Sequence, residues 1–217
     1  MCIRDRNWTQ IKEVENETFA YIGNHSHSHD YLTKFNFEKF VDDIERSINI
    51  FNNKLGYNPS FFSYPFGEYN LEQKNYISKN FEFAFGQHSG VIDLNKDKYE
   101  LPRFPINEKY GELKRFKEVI SYLPLQYKNI NPENKFMNVD ENPPKMTIEF
   151  FKDQKNLNNI NCFSNEGSKW RKTNIVIDNN ILKVNFVEKF VERRGRINCS
   201  LKNSKGWRFA GFQFVQN

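Results

Sequence analysis

The stretch Phe19-Ala20-Tyr21-Ile22-Gly23-Asn24-His25-Ser26-His27-Ser28-His29-Asp30 sets an apolar run, a Gly-Asn turn and a histidine cluster in direct succession. An apolar run closed by turn formers predicts a short buried strand over 19–22. The cluster then falls at the C-terminal end of that strand. His25 and His29, at i and i+4, share one face of a helical turn, so both imidazoles can reach a single metal ion. His27 points elsewhere. A polar, solvent-facing loop would show the same spacing; the position directly after an apolar strand favours the metal reading.

Outward from this stretch, residues 8–15 read as the end of a helix. Phe40, Ile44, Ile48, Phe51 and Leu55 recur at helical spacings and predict a helix over 36–55 with one apolar stripe. Asn36 can cap its start and Gly56 its end. Strands are expected at 61–64 and 81–85, with helices at 70–79 and 113–122. Strands alternating with helices imply βα units and a parallel sheet or barrel. Such folds place their chemistry at the C-terminal ends of the strands. The segment Ser63-Tyr64-Pro65-Phe66-Gly67 follows the second strand, where its backbone N–H groups can face a substrate.

Composition changes after Tyr127. Asn, Pro and Glu dominate 129–144, read as a linker. Beyond it, β-type runs at 146–151, 158–163, 173–177, 180–188, 196–201 and 207–215 predict a small antiparallel β-sandwich over 145–217. The alternation of Trp207, Phe209, Phe212 and Phe214 is read as a core face, with a carbohydrate-stacking platform as the other reading. Cys162 and Cys199 either pair, as an oxidising compartment would allow, or are two buried thiols.

The net charge of +5 comes from 32 basic and 27 acidic side chains interleaved along the chain, which describes a solvated surface better than a nucleic-acid footprint. The cluster Arg193, Arg194 and Arg196 is the best candidate for meeting an anionic partner. No apolar run approaches the ~20 residues of a membrane span. Residues 1–6, Met-Cys-Ile-Arg-Asp-Arg, do not resemble a signal peptide and are expected to be a non-native leader. Location stays open, with the cell envelope or periplasm favoured over the cytoplasm, and oligomeric state is not readable.

Taken together, Gly23 to Asp30 followed by Ser63-Tyr64-Pro65-Phe66-Gly67 resembles the polysaccharide deacetylases of carbohydrate esterase family four, over roughly residues 8–122. The resemblance implies an incomplete distorted (β/α) barrel over 7–128. It implies a divalent metal, zinc first, held by His25 and His29 of a His-[Ser/Thr]-x-x-His motif that includes Ser26. The family's third ligand and its general base come from an upstream Asp-Asp motif, which this sequence lacks. Its one Asp before the cluster, Asp5, falls in the expected leader, so the chain is read as N-terminally truncated. Pro65 and Phe66 fit the family's Arg-x-Pro-Tyr segment, and Phe66 would supply an oxyanion N–H. Ser63 stands where Arg is usual, and Arg103 is the candidate replacement. His88 is the candidate general acid. Ser26, Tyr64 and Pro65 are expected to contact substrate.

The implied activity is metal-dependent hydrolysis of acetyl groups, N-acetyl before O-acetyl, from a polysaccharide or other glycan. Without the Asp pair the chain is expected to bind metal weakly and to be nearly inactive. The alternative is a non-catalytic carbohydrate-binding protein with a degenerate barrel. Hydrolysis of a cyclic amide ranks lower, because an appended β-domain suits a polymer. A nucleic-acid partner ranks last.

Overall fold

A computed structural model describes residues 6–217; the expectations placed on 1–5, Cys2 and Asp5 among them, lie outside the described residues. The fold is mixed α/β. Its first part holds α1 (Trp8–Glu15), α2 (Phe37–Leu55), β1 (Phe61–Ser63), α3 (Leu71–Asn80), β2 (Phe83–Phe85) and α4 (Leu113–Ser121). α2 begins where Asn36 accepts a hydrogen bond from the Lys39 N–H at 2.9 Å. It ends where Gly56 turns left-handed at φ 86°, a conformation glycine adopts at little cost. Its buried face carries Phe40, Asp43, Ile44 and Ser47. Phe40 and Ile44 join Phe62, Ile77, Phe81 and Ala84 in a small core between helices and strands.

β1 and β2 pair in parallel. Parallel bridges from Asn24 to Phe62 and from Phe85 to Leu101 extend the pair on both sides. Four neighbouring segments therefore run in one direction, and the chain that leaves their C-terminal ends carries His25, Tyr64–Gly67, His88 and Arg103 respectively. Residues 19–22 do not form the expected buried strand; pairing begins at Asn24, and Phe19 is 87% exposed. The apolar run has no neighbouring strand to cover it among the described residues.

The second part contains β3 (Leu123–Pro124), β4 (Asn129–Asn131), β5 (Phe136–Met137), β6 (Thr147–Glu149), β7 (Asn161–Ser164), β8 (Arg171–Lys172), β9 (Asn174–Asp178), β10 (Ile181–Asn185), β11 (Arg194–Asn203) and β12 (Gly206–Gln216). One sheet has the order β4-β6-β10-β9; the other runs β3-β12-β11-β7-β8, with β5 also on β12. Ile148, Leu182 and Val184 of the first sheet share one buried core with Ile197, Leu201, Phe212 and Phe214 of the second. Cys162 and Cys199 face each other across β7 and β11 and form a disulfide.

Two expectations change here. The stretch 129–144 is not a structureless linker, because it supplies β4 and β5, whose ladder bonds compensate for its polar composition. The second sheet is not purely antiparallel, since β3 and β5 run parallel to β12. The aromatic alternation in β12 also breaks down. Phe212 and Phe214 are core residues, but Trp207 is 45% exposed, and residues 210–215 are buried on both faces. The outer face of that segment is covered by the first part of the chain. A side chain at Gly211 would collide with the Ser89 carbonyl, so the close approach of the two parts requires glycine there.

Candidate active site

The His cluster is built by side chains beneath it. Asn24, fully buried, exchanges hydrogen bonds with Ser47 of α2 and accepts from the Ser26 N–H. Asp43, one turn earlier on α2, accepts from the N–H groups of His27 and Ser28, each at 3.0 Å. The loop is therefore not the helical turn that the i, i+4 spacing suggested. It is a series of bends, with Ser26 and His29 both left-handed at φ 67° and 57°. The Ser26 hydroxyl accepts from the His29 N–H at 3.1 Å. The side-chain result is still convergence: the rings of His25 and His29 lie edge to face with centroids 4.8 Å apart. His27 is exposed.

The Nδ1 of His25 lies 2.6 Å from the Ser63 carbonyl. A carbonyl only accepts, so Nδ1 carries the proton and Nε2 keeps its lone pair, the tautomer a metal ligand needs. Burial lowers the pKa of His25; the Ser63 bond opposes this, and the charges of His29 and Arg103 add to it. The imidazole therefore stays neutral and able to coordinate. Among the described residues no third His, Cys, Asp or Glu completes a metal-holding group with the pair. The donor set fits a metal in type and tautomer but is partial in number.

Phe66 borders this pair. It is left-handed at φ 58°, and its ring sits 4.9 Å from His29 and stacks on Tyr31 at 4.1 Å. Gly67 follows, also left-handed at φ 68°, with its α-carbon so close to Gln87 that an added Cβ would lie 2.4 Å from the Gln87 nitrogen. Only glycine satisfies both conditions. Arg103 is exposed, and its charge reaches His25.

Three expected residues lie elsewhere. Tyr64 is a core side chain, 1% exposed, packed against Phe62 and Tyr69, and its hydroxyl has no hydrogen-bond partner. Strand alternation turns its ring inward, which excludes side-chain contact with substrate. Pro65 is buried as well, and shapes the turn. His88 faces Glu100, Lys135 and Arg196 rather than the His pair, and burial pushes its pKa down to about 4. Among the described residues, the charged groups that act on it are those of an ion-pair cluster.

Sequence reasoning missed Asp43, Ser47 and Glu68. Asp43 and Ser47 carried a signal, because both are polar residues on the stripe predicted to be apolar. Glu68 is buried and receives groups distant in sequence. It accepts from Thr33 at 3.3 Å and from the Arg193 Nε at 2.9 Å, and its other oxygen lies 3.7 Å from the Arg194 Nε. Gln213 of β12 donates to the Gly67 carbonyl at 2.9 Å. The second part of the chain thus grips the loop that carries Phe66.

Residues 3–84 match the family described as polysaccharide deacetylase. A peptidoglycan-N-acetylglucosamine deacetylase of Bacillus cereus is 38% identical over 58 residues, which cover 27% of this chain and 21% of that relative. The residues matched by that family include the His pair and the Phe66 loop, the stretch whose motifs carried the resemblance. The chain therefore spans about a fifth of the curated relative it matches.

Proposed function

We propose that this chain carries part of the active site of a polysaccharide deacetylase, one that hydrolyses acetyl groups, N-acetyl before O-acetyl, from a glycan. The observation that carries this reading is the convergence of His25, His29 and Phe66 beyond the ends of parallel segments, within a stretch that matches the family. On this reading the parallel segments belong to a distorted, incomplete (β/α) barrel, and the two C-terminal sheets form a β-sandwich behind it.

His25 and His29 would hold a divalent metal, zinc before cobalt or nickel. When bound, such a metal lowers the pKa of water and polarises an acetyl carbonyl. The Ser63 carbonyl fixes the His25 tautomer, and Ser26 fixes the loop at His29. The Phe66 N–H donates to the carbonyl oxygen as negative charge develops there. Arg103 places positive charge beside His25 and offsets that developing charge. Two imidazoles without a carboxylate hold a metal weakly, so the chain turns over slowly.

The test is acetate release from N-acetylglucosamine oligomers and acetylated xylan in the presence of zinc. Slow release, faster from the N-acetyl substrate and lost in the His25→Ala/His29→Ala double variant, is expected. Release that survives the double substitution overturns the reading. Oligomer binding with no release at any zinc concentration replaces it with the non-catalytic carbohydrate-binding protein.

A further inference from the structure

Arg193, Arg194 and Arg196 come from the start of β11 and the residue before it, far in sequence from the His pair, and the deacetylase reading assigns them nothing. Arg193 is fully engaged. It binds Glu68 at 2.9 Å and the Thr33 hydroxyl at 3.0 Å, with its guanidinium over the Tyr31 ring. Arg196 is tied to Gln213 at 3.1 Å. Arg194 is different. Its contacts are long: 3.4 Å to the Phe66 carbonyl and 3.7 Å to the Glu68 oxygen that lacks a hydrogen-bond partner. Its side chain is 29% exposed, and its guanidinium lies over the Phe66 ring at 5.8 Å. The centroid of that same ring lies 4.9 Å from the His29 ring.

The charge count points the same way. Glu68 is one carboxylate shared by two arginines, and Arg193 holds the closer contact. Arg194 and Arg196 repel, and Glu192 is the one carboxylate whose charge reaches Arg196. Arg194 is thus only loosely paired with Glu68 and lies one aromatic ring away from His29. A planar guanidinium fork with free N–H groups matches a carboxylate or phosphate.

We propose that Arg194 is a specificity-determining residue, selecting glycans that carry an anionic substituent, carboxylate or phosphate, on a sugar next to the acetylated one. The proposal rests on the glycan reading above. Binding is the readout, because it does not need turnover. Calorimetric titration of the intact chain compares a neutral N-acetylglucosamine oligomer with matched oligomers carrying a carboxylate-bearing or a phosphate-bearing sugar. One anionic oligomer should bind about tenfold tighter than the neutral one, the size expected of a charge-assisted contact. Arg194→Gln should abolish that preference while leaving neutral-oligomer affinity unchanged, and Arg194→Lys should restore part of it. The two anionic arms show which group is recognised. Equal affinity of the wild-type chain for all three overturns the proposal. So does an Arg194→Gln variant that weakens every oligomer equally, the mark of a purely structural role. Failure of the wild-type chain to bind any oligomer removes the glycan reading itself.

Discussion

Seventeen buried apolar side chains, from Leu125 to Phe214, form the core shared by the two C-terminal sheets, and a disulfide crosses one sheet; the core around α2, β1 and β2 has eight. The larger core closes on itself. Both are accompanied by exposed apolar side chains, Phe19, Tyr21, Leu113 and Ile120 beside the smaller, Val187, Val191 and Trp207 beside the larger. Yet the smaller region carries the His pair and the left-handed Phe66 loop. These are held in two ways: from below through polar groups on α2, and from the side through Arg193 and Gln213 of the second part. The left-handed loops of the first part are thus gripped by side chains of the second.

The largest expected effect separates the two regions. Cys162 and Cys199 lie 37 residues apart in sequence, and closing a loop of that size contributes about 2–4 kcal/mol. Reduction should lower the unfolding free energy of the C-terminal sheets by that amount, read as a lower urea midpoint. Amide exchange in α2 should be unaffected; a matching loss of protection there would mean that the regions unfold as one.

Next comes a pH effect at their junction. Burial holds the folded pKa of His88 at about 4, below the unfolded value of 6.5. The unfolded chain therefore takes up the extra proton first, so stability is full above about pH 6.5 and falls as pH drops toward 4. The loss is of order 3 kcal/mol. Glu100 adds to the decline at lower pH: burial alone would raise its pKa, but Lys135 and Lys74 hold it below its ordinary value of 4.5, so its contribution is lost only as pH falls below that value. A His88→Gln variant should flatten the decline measured by urea denaturation at successive pH values. An unchanged slope would place the titrating group elsewhere.

The smallest effect is confined to the site. Asp43→Asn removes the charge that holds the His27 and Ser28 N–H groups, at a local cost of about 1–3 kcal/mol. Amide exchange at those two residues should accelerate, with the C-terminal sheets unchanged.

Much of this was legible in the sequence, and the exceptions share a cause. α2 and its caps followed from periodicity, Asn36 and Gly56, because these are local effects. The β-runs beyond 146 followed from alternation and turn residues. The convergence of His25 and His29 was legible by spacing, although the backbone route differs: two left-handed residues replace a helical turn. What stayed hidden needed contacts distant in sequence. His88 looked like an acid at a strand end until Glu100 and Lys135 gave it another role. The stretch 129–144 looked like a linker because its strands pair with partners outside it. Glu68 has two arginine partners more than a hundred residues away, and no local pattern announces them.

The most direct measurement is calorimetric titration of the intact chain with zinc, alongside the His25→Ala and His29→Ala variants. The expected result is one weak site per chain, lost in either variant, with heats consistent with proton release small enough for an imidazole that is already neutral. Tight stoichiometric binding would mean that a complete ligand set exists in this chain, and binding indifferent to both substitutions would mean that His25 and His29 are not the metal pair.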